Sequence, residues 1–165
     1  MYSLAVKNRT TTFVKNYGKG IVEAIRGTGL FFPTVVAMKA LESGWGESQL
    51  TRVANNFGGI KYNPRLAGVI GKVTMDTTEF VRGRRVTVKQ DFSRFKDVES
   101  GFRATIRVLL GDRYKNARLQ AKTPEEQVLM IVRAGYSTTP PQVYLSRLQG
   151  IIDATRDITG LGRIS

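Results

Sequence analysis

Helical periodicity runs along this chain with one interruption, between Gly59 and Phe95, and that break restricts it to an α+β plan. Upstream, Phe13, Tyr17, Ile21 and Ile25 fall on one helical stripe, with Gly18 and Gly20 set against its continuity. Pro33 suits the first turn of a second helix, Thr34 to Glu42, because its missing N–H costs nothing there; Gly44 and Gly46 supply the stop. Inside the interruption, Thr77–Val81 and Val86–Gln90 flank Arg82-Gly83-Arg84-Arg85 as a hairpin. Helix resumes at Asp97, a capping residue for a segment carrying Phe102, Ile106 and Leu109. Thr123-Pro124-Glu125-Glu126 is a capping box opening a helix that Gly135 closes. Thr139-Pro140 then opens a last helix with Tyr144, Leu148, Ile151 and Ile152 on or near its buried side. The order predicts a mainly α-helical α+β domain of two lobes, the smaller a β-hairpin, with a cleft between them. No repeat or linker divides the chain, so residues 1–165 read as a single domain with its core over about 13–152.

Composition narrows the chemistry. A chain of 165 residues with 41% hydrophobic and 24% charged residues is an ordinary globular one, long enough to bury a core without covalent staples. It has no cysteine and no histidine. Thiolate nucleophiles, disulfides, Ser-His-Asp triads and most zinc sites are therefore excluded, and acid–base work falls to carboxylates, aided by tyrosine or lysine. Lys and Arg number 26 against 13 acidic residues, a net charge of +13. Such a balance attracts a polyanion, either nucleic acid or the anionic polymers and lipids of a bacterial envelope. The basic residues are scattered rather than massed, which weakens the nucleic-acid reading. No apolar run approaches the roughly 18 residues of a membrane span, and Met1–Thr12 lacks the apolar region of a signal peptide.

Within the second helix, Val35, Met38 and Glu42 follow the three- and four-residue steps of one face. Glu42 thus continues an apolar stripe into the last turn, where burial and the helix dipole both oppose its ionisation. A carboxylic acid so placed stays protonated near neutral pH and can donate to a leaving oxygen. The alternative is a surface glutamate at a frayed end, or one paired with a basic neighbour.

The following residues carry more information. Ala40-Leu41-Glu42-Ser43-Gly44-Trp45-Gly46-Glu47-Ser48 and Asn55-Asn56-Phe57-Gly58-Gly59-Ile60-Lys61 resemble the signature of the glucosaminidase family, glycoside hydrolase family 73. Thr77-Thr78-Glu79, Asp91-Phe92-Ser93-Arg94-Phe95 and Ala134-Gly135-Tyr136-Ser137-Thr138 extend the likeness in the family's order. The family holds bacterial autolysins, flagellar peptidoglycan hydrolases and phage lysins. The resemblance implies a lysozyme-like fold and endo-β-N-acetylglucosaminidase activity, hydrolysing the β-1,4 bond after N-acetylglucosamine in the wall glycan, without metal or cofactor. It casts Glu42 as general acid, Glu79 on the β lobe as base or oxocarbenium stabiliser, and Tyr136 as a catalytic tyrosine lining the cleft. It also sets Trp45, Asn55, Asn56, Phe57 and Asp91 beside the glycan, Asn56 foremost.

Each of these residues has a plainer reading. Trp45 could anchor the core, Asn55 and Asn56 could brace a loop, Tyr136 could pack over a helix end, and Glu79 could face solvent. Paired carboxylates about 5–5.5 Å apart suit a nucleophile and about 6.5–9.5 Å an activated water, while attack by the substrate's own acetamido group would leave Glu79 to orient it. Two positions depart from the family's pattern: Gly58 stands where an aromatic residue is usual, and Thr139 where an acid precedes the proline.

A muramidase or lytic transglycosylase on the same fold is the neighbouring alternative, and a basic polyanion-binding module without turnover the non-enzymatic one. The favoured partners are peptidoglycan strands and, by charge, anionic envelope polymers, with no nucleic acid, the enzyme acting as a monomer in the cell wall or periplasm. Without a leader, it would arrive by phage delivery, holin release or non-classical export, or be a truncated chain.

Overall fold

The computed structural model describes all 165 residues. Helices α1 (Leu4–Ile25), α2 (Phe32–Glu42) and α3 (Gln49–Ala54) precede a hairpin of β1 (Val69–Val81) and β2 (Arg84–Phe95). Then come α4 (Val98–Ile106), two 3₁₀ turns (Arg107–Leu110 and Asp112–Tyr114), α5 (Lys115–Gln120), α6 (Pro124–Ile131), a π turn (Val132–Tyr136) and α7 (Pro141–Thr159).

The centre of the helical lobe is α2, which packs against α7, α1 and α6. Every residue from Phe32 to Ala40 is buried. The sequence reading of a one-sided apolar stripe is therefore corrected: α2 is buried on all sides through Ala40 because helices surround it. It begins at Phe32, two residues earlier than expected, with Phe31 at the N-cap and Pro33 in the first turn. The Phe31 N–H donates to the buried Gln127 side chain at 2.8 Å, and the Gln127 amide donates to the carbonyls of Gly29 and Ala117, both at 3.0 Å. One buried amide thus ties α2 and α5 to α6 and satisfies a helix end that has no side-chain cap.

Helix α1 starts at Leu4, well before the anticipated stripe, capped by the Ser3 hydroxyl accepting from the Val6 N–H at 3.2 Å. Gly20 does not break it. A Cβ there would stand 2.9 Å from Val98 Cγ1, so its absence lets α4 pack close to α1. Asp97 caps α4 as expected, accepting from Ser100 N–H at 2.8 Å. Leu109 belongs to the 3₁₀ turn that follows, and Pro140 is the N-cap of α7 rather than its first residue.

The hairpin is longer than its sequence pattern, pairing Val69 with Phe95 at its base and Val81 with Arg84 at its tip. Its turn is the two residues Arg82-Gly83, both left-handed with φ of 51° and 75°, the geometry that matches strand twist. Both strands alternate half-buried with exposed positions along most of their length, and only Ser93 and Phe95 near the base of β2 are buried. The small lobe is thus a two-stranded ribbon anchored at one end.

Candidate active site

Where α2 leaves the core, Leu41 and Glu42 emerge, and a sharp turn follows. The Ser43 hydroxyl donates to Lys39 O at 2.6 Å and accepts from Gly46 N–H at 2.9 Å. Gly44, Trp45 and Gly46 are successively left-handed, with φ of 57°, 62° and 77°. For Trp45 that conformation costs roughly 1–2 kcal/mol. Its ring offsets the strain by packing edge-on against Phe13 at 6.4 Å, with the Arg9 guanidinium 5.8 Å above it. Trp45 is half-buried and serves as the anchor of this turn.

Glu42 is not the uncompensated inward carboxyl that helix periodicity suggested. Its side chain is 26% exposed, and its two oxygens are held from different parts of the chain. Lys39, one turn earlier and only 1% exposed, places Nζ 2.8 Å from Oε2. Tyr136 donates its hydroxyl hydrogen to Oε1 at 2.5 Å. Lys39 Nζ also lies 3.5 Å from the Tyr136 oxygen, closing a triangle of carboxylate, ammonium and phenol. The ammonium in the last turn of α2 further offsets the negative end of the helix dipole.

Tyr136 reaches this point from the π turn after α6, where Gly135 adopts φ 105°. Its ring meets those of Tyr114 and Tyr144 edge-on at 6.2 and 6.4 Å. Burial, then the negative charge of Glu42 and the hydrogen bond to it, push the Tyr136 phenol well above its ordinary value. Tyr136 therefore remains a neutral donor aimed at Glu42. The loop beyond it is closed by the Ser137 hydroxyl accepting from Thr139 N–H at 3.1 Å.

The other sequence-selected residues divide. Asn55 ends α3 in the left-handed conformation, φ 50°, and donates to Phe95 O at 3.1 Å. Asn56 is 1% exposed: Nδ2 donates to Ile60 O and Ser93 O, and Oδ1 accepts from Ile60 N–H, all at 2.9 Å. It fastens the loop to β2, with both Nδ2 hydrogens and one lone pair of Oδ1 engaged within the chain. Phe57 is likewise buried, stacked on Phe102 at 4.1 Å and meeting Tyr17 at 5.1 Å, and offers no face to a sugar. A Cβ at Gly58 would lie 2.1 Å from Thr105 Oγ1, so the chain has no room for an aromatic residue there.

Asp91 stays at the surface, joined across the strands to Lys72 at 2.6 Å and to Thr74 at 2.5 Å. The Lys72 and Thr74 hydrogen bonds hold its carboxyl below the usual carboxylate range. Glu79 sits opposite Val86 in the third pair from the hairpin turn, on the pleat face of Met75 and Thr77. It is exposed and forms no hydrogen bond or ion pair within the chain. The structure thus joins Glu42 with Tyr136 and leaves Glu79 out on the ribbon. Lys39, the third member of the cluster, escaped the sequence reading. Its signal was a lone lysine in a run of apolar residues, one turn before the carboxylate.

A family model described as mannosyl-glycoprotein endo-beta-N-acetylglucosaminidase matches residues 18–157. The peptidoglycan hydrolase FlgJ of Pseudomonas aeruginosa is 35% identical over 111 residues, covering 64% of this chain and 27% of that protein. Exo-glucosaminidase LytG of Bacillus subtilis is 28% identical over 123 residues, 72% of this chain and 42% of that one. The chain therefore spans less than half the length of these relatives. Among solved structures, the catalytic domain of the autolysin Auto from Listeria monocytogenes superposes with a TM-score of 0.75 at 24% identity, over 92% of this chain and 86% of that one. A C-terminally truncated glycoside hydrolase domain of Salmonella typhimurium FlgJ gives 0.70 at 24% identity, over 90% and 98%. At that identity the likeness is one of fold, and it agrees with the α+β plan read from the element order and with the lysozyme-like fold that the family resemblance implies. With most of its length matched by the family model, this chain belongs to the glucosaminidase family.

Proposed function

We propose that this domain is a peptidoglycan hydrolase, an endo-β-N-acetylglucosaminidase that cleaves the β-1,4 bond after N-acetylglucosamine with Glu42 as general acid. The observation that carries the reading is Glu42 itself: a partly exposed carboxyl at the end of the central helix, one oxygen fixed by the buried Lys39 and the other by the half-buried Tyr136. Family membership and relatives named as peptidoglycan hydrolases support the substrate class.

In the first step, protonated Glu42 transfers its proton to the glycosidic oxygen as the bond to the anomeric carbon breaks. The bonding pair leaves with that oxygen, and positive charge develops on the sugar ring. Tyr136 holds the carboxyl in one orientation throughout, so the donating oxygen need not be ordered during the reaction. Glu79 is the second carboxylate. Unpaired on the hairpin, it approaches the opposite side of the glycan and stabilises the charge or orients the attacking group. Trp45 supports the acid by fixing the turn after it, and Asp91 with Lys72 and Tyr62 offers a polar and aromatic patch along the hairpin for the glycan. The net charge of +13 holds the domain near the anionic envelope.

Mass spectrometry of muropeptides released from purified sacculi tests this directly, beside Glu42→Gln. Products with new N-acetylglucosamine reducing ends bear it out. N-acetylmuramic reducing ends would identify a muramidase, anhydro ends a lytic transglycosylase, and undiminished lysis by Glu42→Gln would remove Glu42 from the chemistry.

A further inference from the structure

Lys39 is the one charged side chain in the molecule's interior, 1% exposed on a helix whose other buried residues carry no charge. An ammonium in that position is costly unless it is paired and hydrogen-bonded. Its polar side-chain partners are the two groups of the site already described: Glu42 Oε2 at 2.8 Å and the Tyr136 hydroxyl at 3.5 Å, with the Tyr136 ring centroid 6.0 Å away. The fold therefore commits a buried cation to the carboxyl that emerges from α2. A lysine needed only for packing would have run its stem outward and left its head in water.

We infer that Lys39 is a positioning residue that fixes the Glu42 carboxyl and stabilises the charge Glu42 acquires when it gives up its proton. This rests on the reading of Glu42 as the general acid. When the glycosidic oxygen takes the proton and the bond to the anomeric carbon breaks, Glu42 passes from a neutral acid to a carboxylate. Lys39 keeps its own proton and faces the new charge at contact distance, in a region where water screens it poorly.

Three phenols line this side of the pair, Tyr136 from the π turn, Tyr144 from α7, and Tyr114 behind Tyr136, while the Arg113 guanidinium lies against the backbone at Gly135. Burial first, and the charge of Glu42 second, push Tyr136 and Tyr144 upward, so both stay neutral across the working range. Lys39 is thus the group whose removal changes the charge felt by Glu42.

The test compares kcat and KM on solubilised glycan strands for the parent and Lys39→Met, with thermal melts of both. Removing the cation should lower kcat about tenfold and leave KM within about twofold. Equal kcat in two folded proteins would overturn the proposal. A second readout does not need that variant to fold. In Glu42→Gln the ammonium loses its counter-charge, so the melting temperature should fall relative to the parent. An unchanged melting temperature would also overturn it. Activity retained by Glu42→Gln would instead sink the functional reading, whatever Lys39 does.

Discussion

Tyr136 and Glu42, 94 residues apart in the chain, meet through a 2.5 Å hydrogen bond between the phenol and Oε1. The contact links the end of the central helix to the π turn that precedes α7, so both elements must be in place before the carboxyl is held. Tyr136→Phe removes the hydrogen bond and keeps the ring that packs on Tyr114 and Tyr144. A hydrogen bond to a charged group contributes about 1.5–3 kcal/mol. If that energy is spent on orientation, kcat falls roughly 10- to 100-fold with little change in KM. Steady-state kinetics on solubilised glycan measures the split, and a change confined to KM would mean that Tyr136 binds glycan without bracing the acid.

Asn56 gives a second prediction, opposite in character. Its three hydrogen bonds join the loop after α3 to β2, at the base of the hairpin. Asn56→Ala strands buried carbonyls and an N–H, a loss of about 3 kcal/mol at about 1 kcal/mol for each bond. Urea denaturation should register it as a lower midpoint, whereas the KM of the protein that remains folded should be unchanged. A stable variant with a raised KM would identify Asn56 as a glycan ligand.

How far the sequence reveals this molecule depends on what each residue answers to. Local rules were enough for Asp97 and Thr123, which cap their helices, and for a hairpin turning within Arg82–Arg85, although the turn itself is only Arg82-Gly83 and Arg84 and Arg85 belong to β2. They failed for α2, because a helix surrounded by other helices shows no stripe, and for the lower hairpin, where Lys72, Thr74 and Asp76 face solvent and the apolar alternation is faint. Short α3 and α5 carry too few residues for periodicity to speak. At the site, Glu42 was legible from its place at a helix end and from the motif around it. Its partners were not: the Lys39 ion pair and the Tyr136 hydrogen bond are tertiary facts. Asn56 and Phe57 share that motif but serve the scaffold, which no spacing argument distinguishes from binding.

Glu79 supplies the third prediction. It makes no contact that the fold depends on, so Glu79→Gln should melt within about 1 °C of the parent, in keeping with the small effects of surface substitutions. Loss of its charge should nonetheless lower kcat by about 10²-fold, as removal of one electrostatic stabiliser does. Full activity in Glu79→Gln would assign that carboxylate to solvent and leave the substrate's acetamido group to act without it.

The last prediction concerns charge at a distance. Arg82, Arg84 and Arg85 crowd the hairpin tip beside exposed Phe80, with Arg85 lying 5.9 Å from the Phe80 ring centroid. Together with the net charge of +13 they favour encounter with an anionic wall, and surface charges more than about 8 Å apart are largely screened at physiological salt. Lysis of intact sacculi should therefore slow several-fold between about 50 and 300 mM salt, and reversing Arg82, Arg84 and Arg85 to glutamate should flatten that dependence. Hydrolysis of a short uncharged oligosaccharide should be indifferent to salt in both proteins, because its reaction depends on Glu42 and its partly buried partners rather than on the field around the domain. Equal salt sensitivity on charged and uncharged substrates would locate the effect in the active site instead.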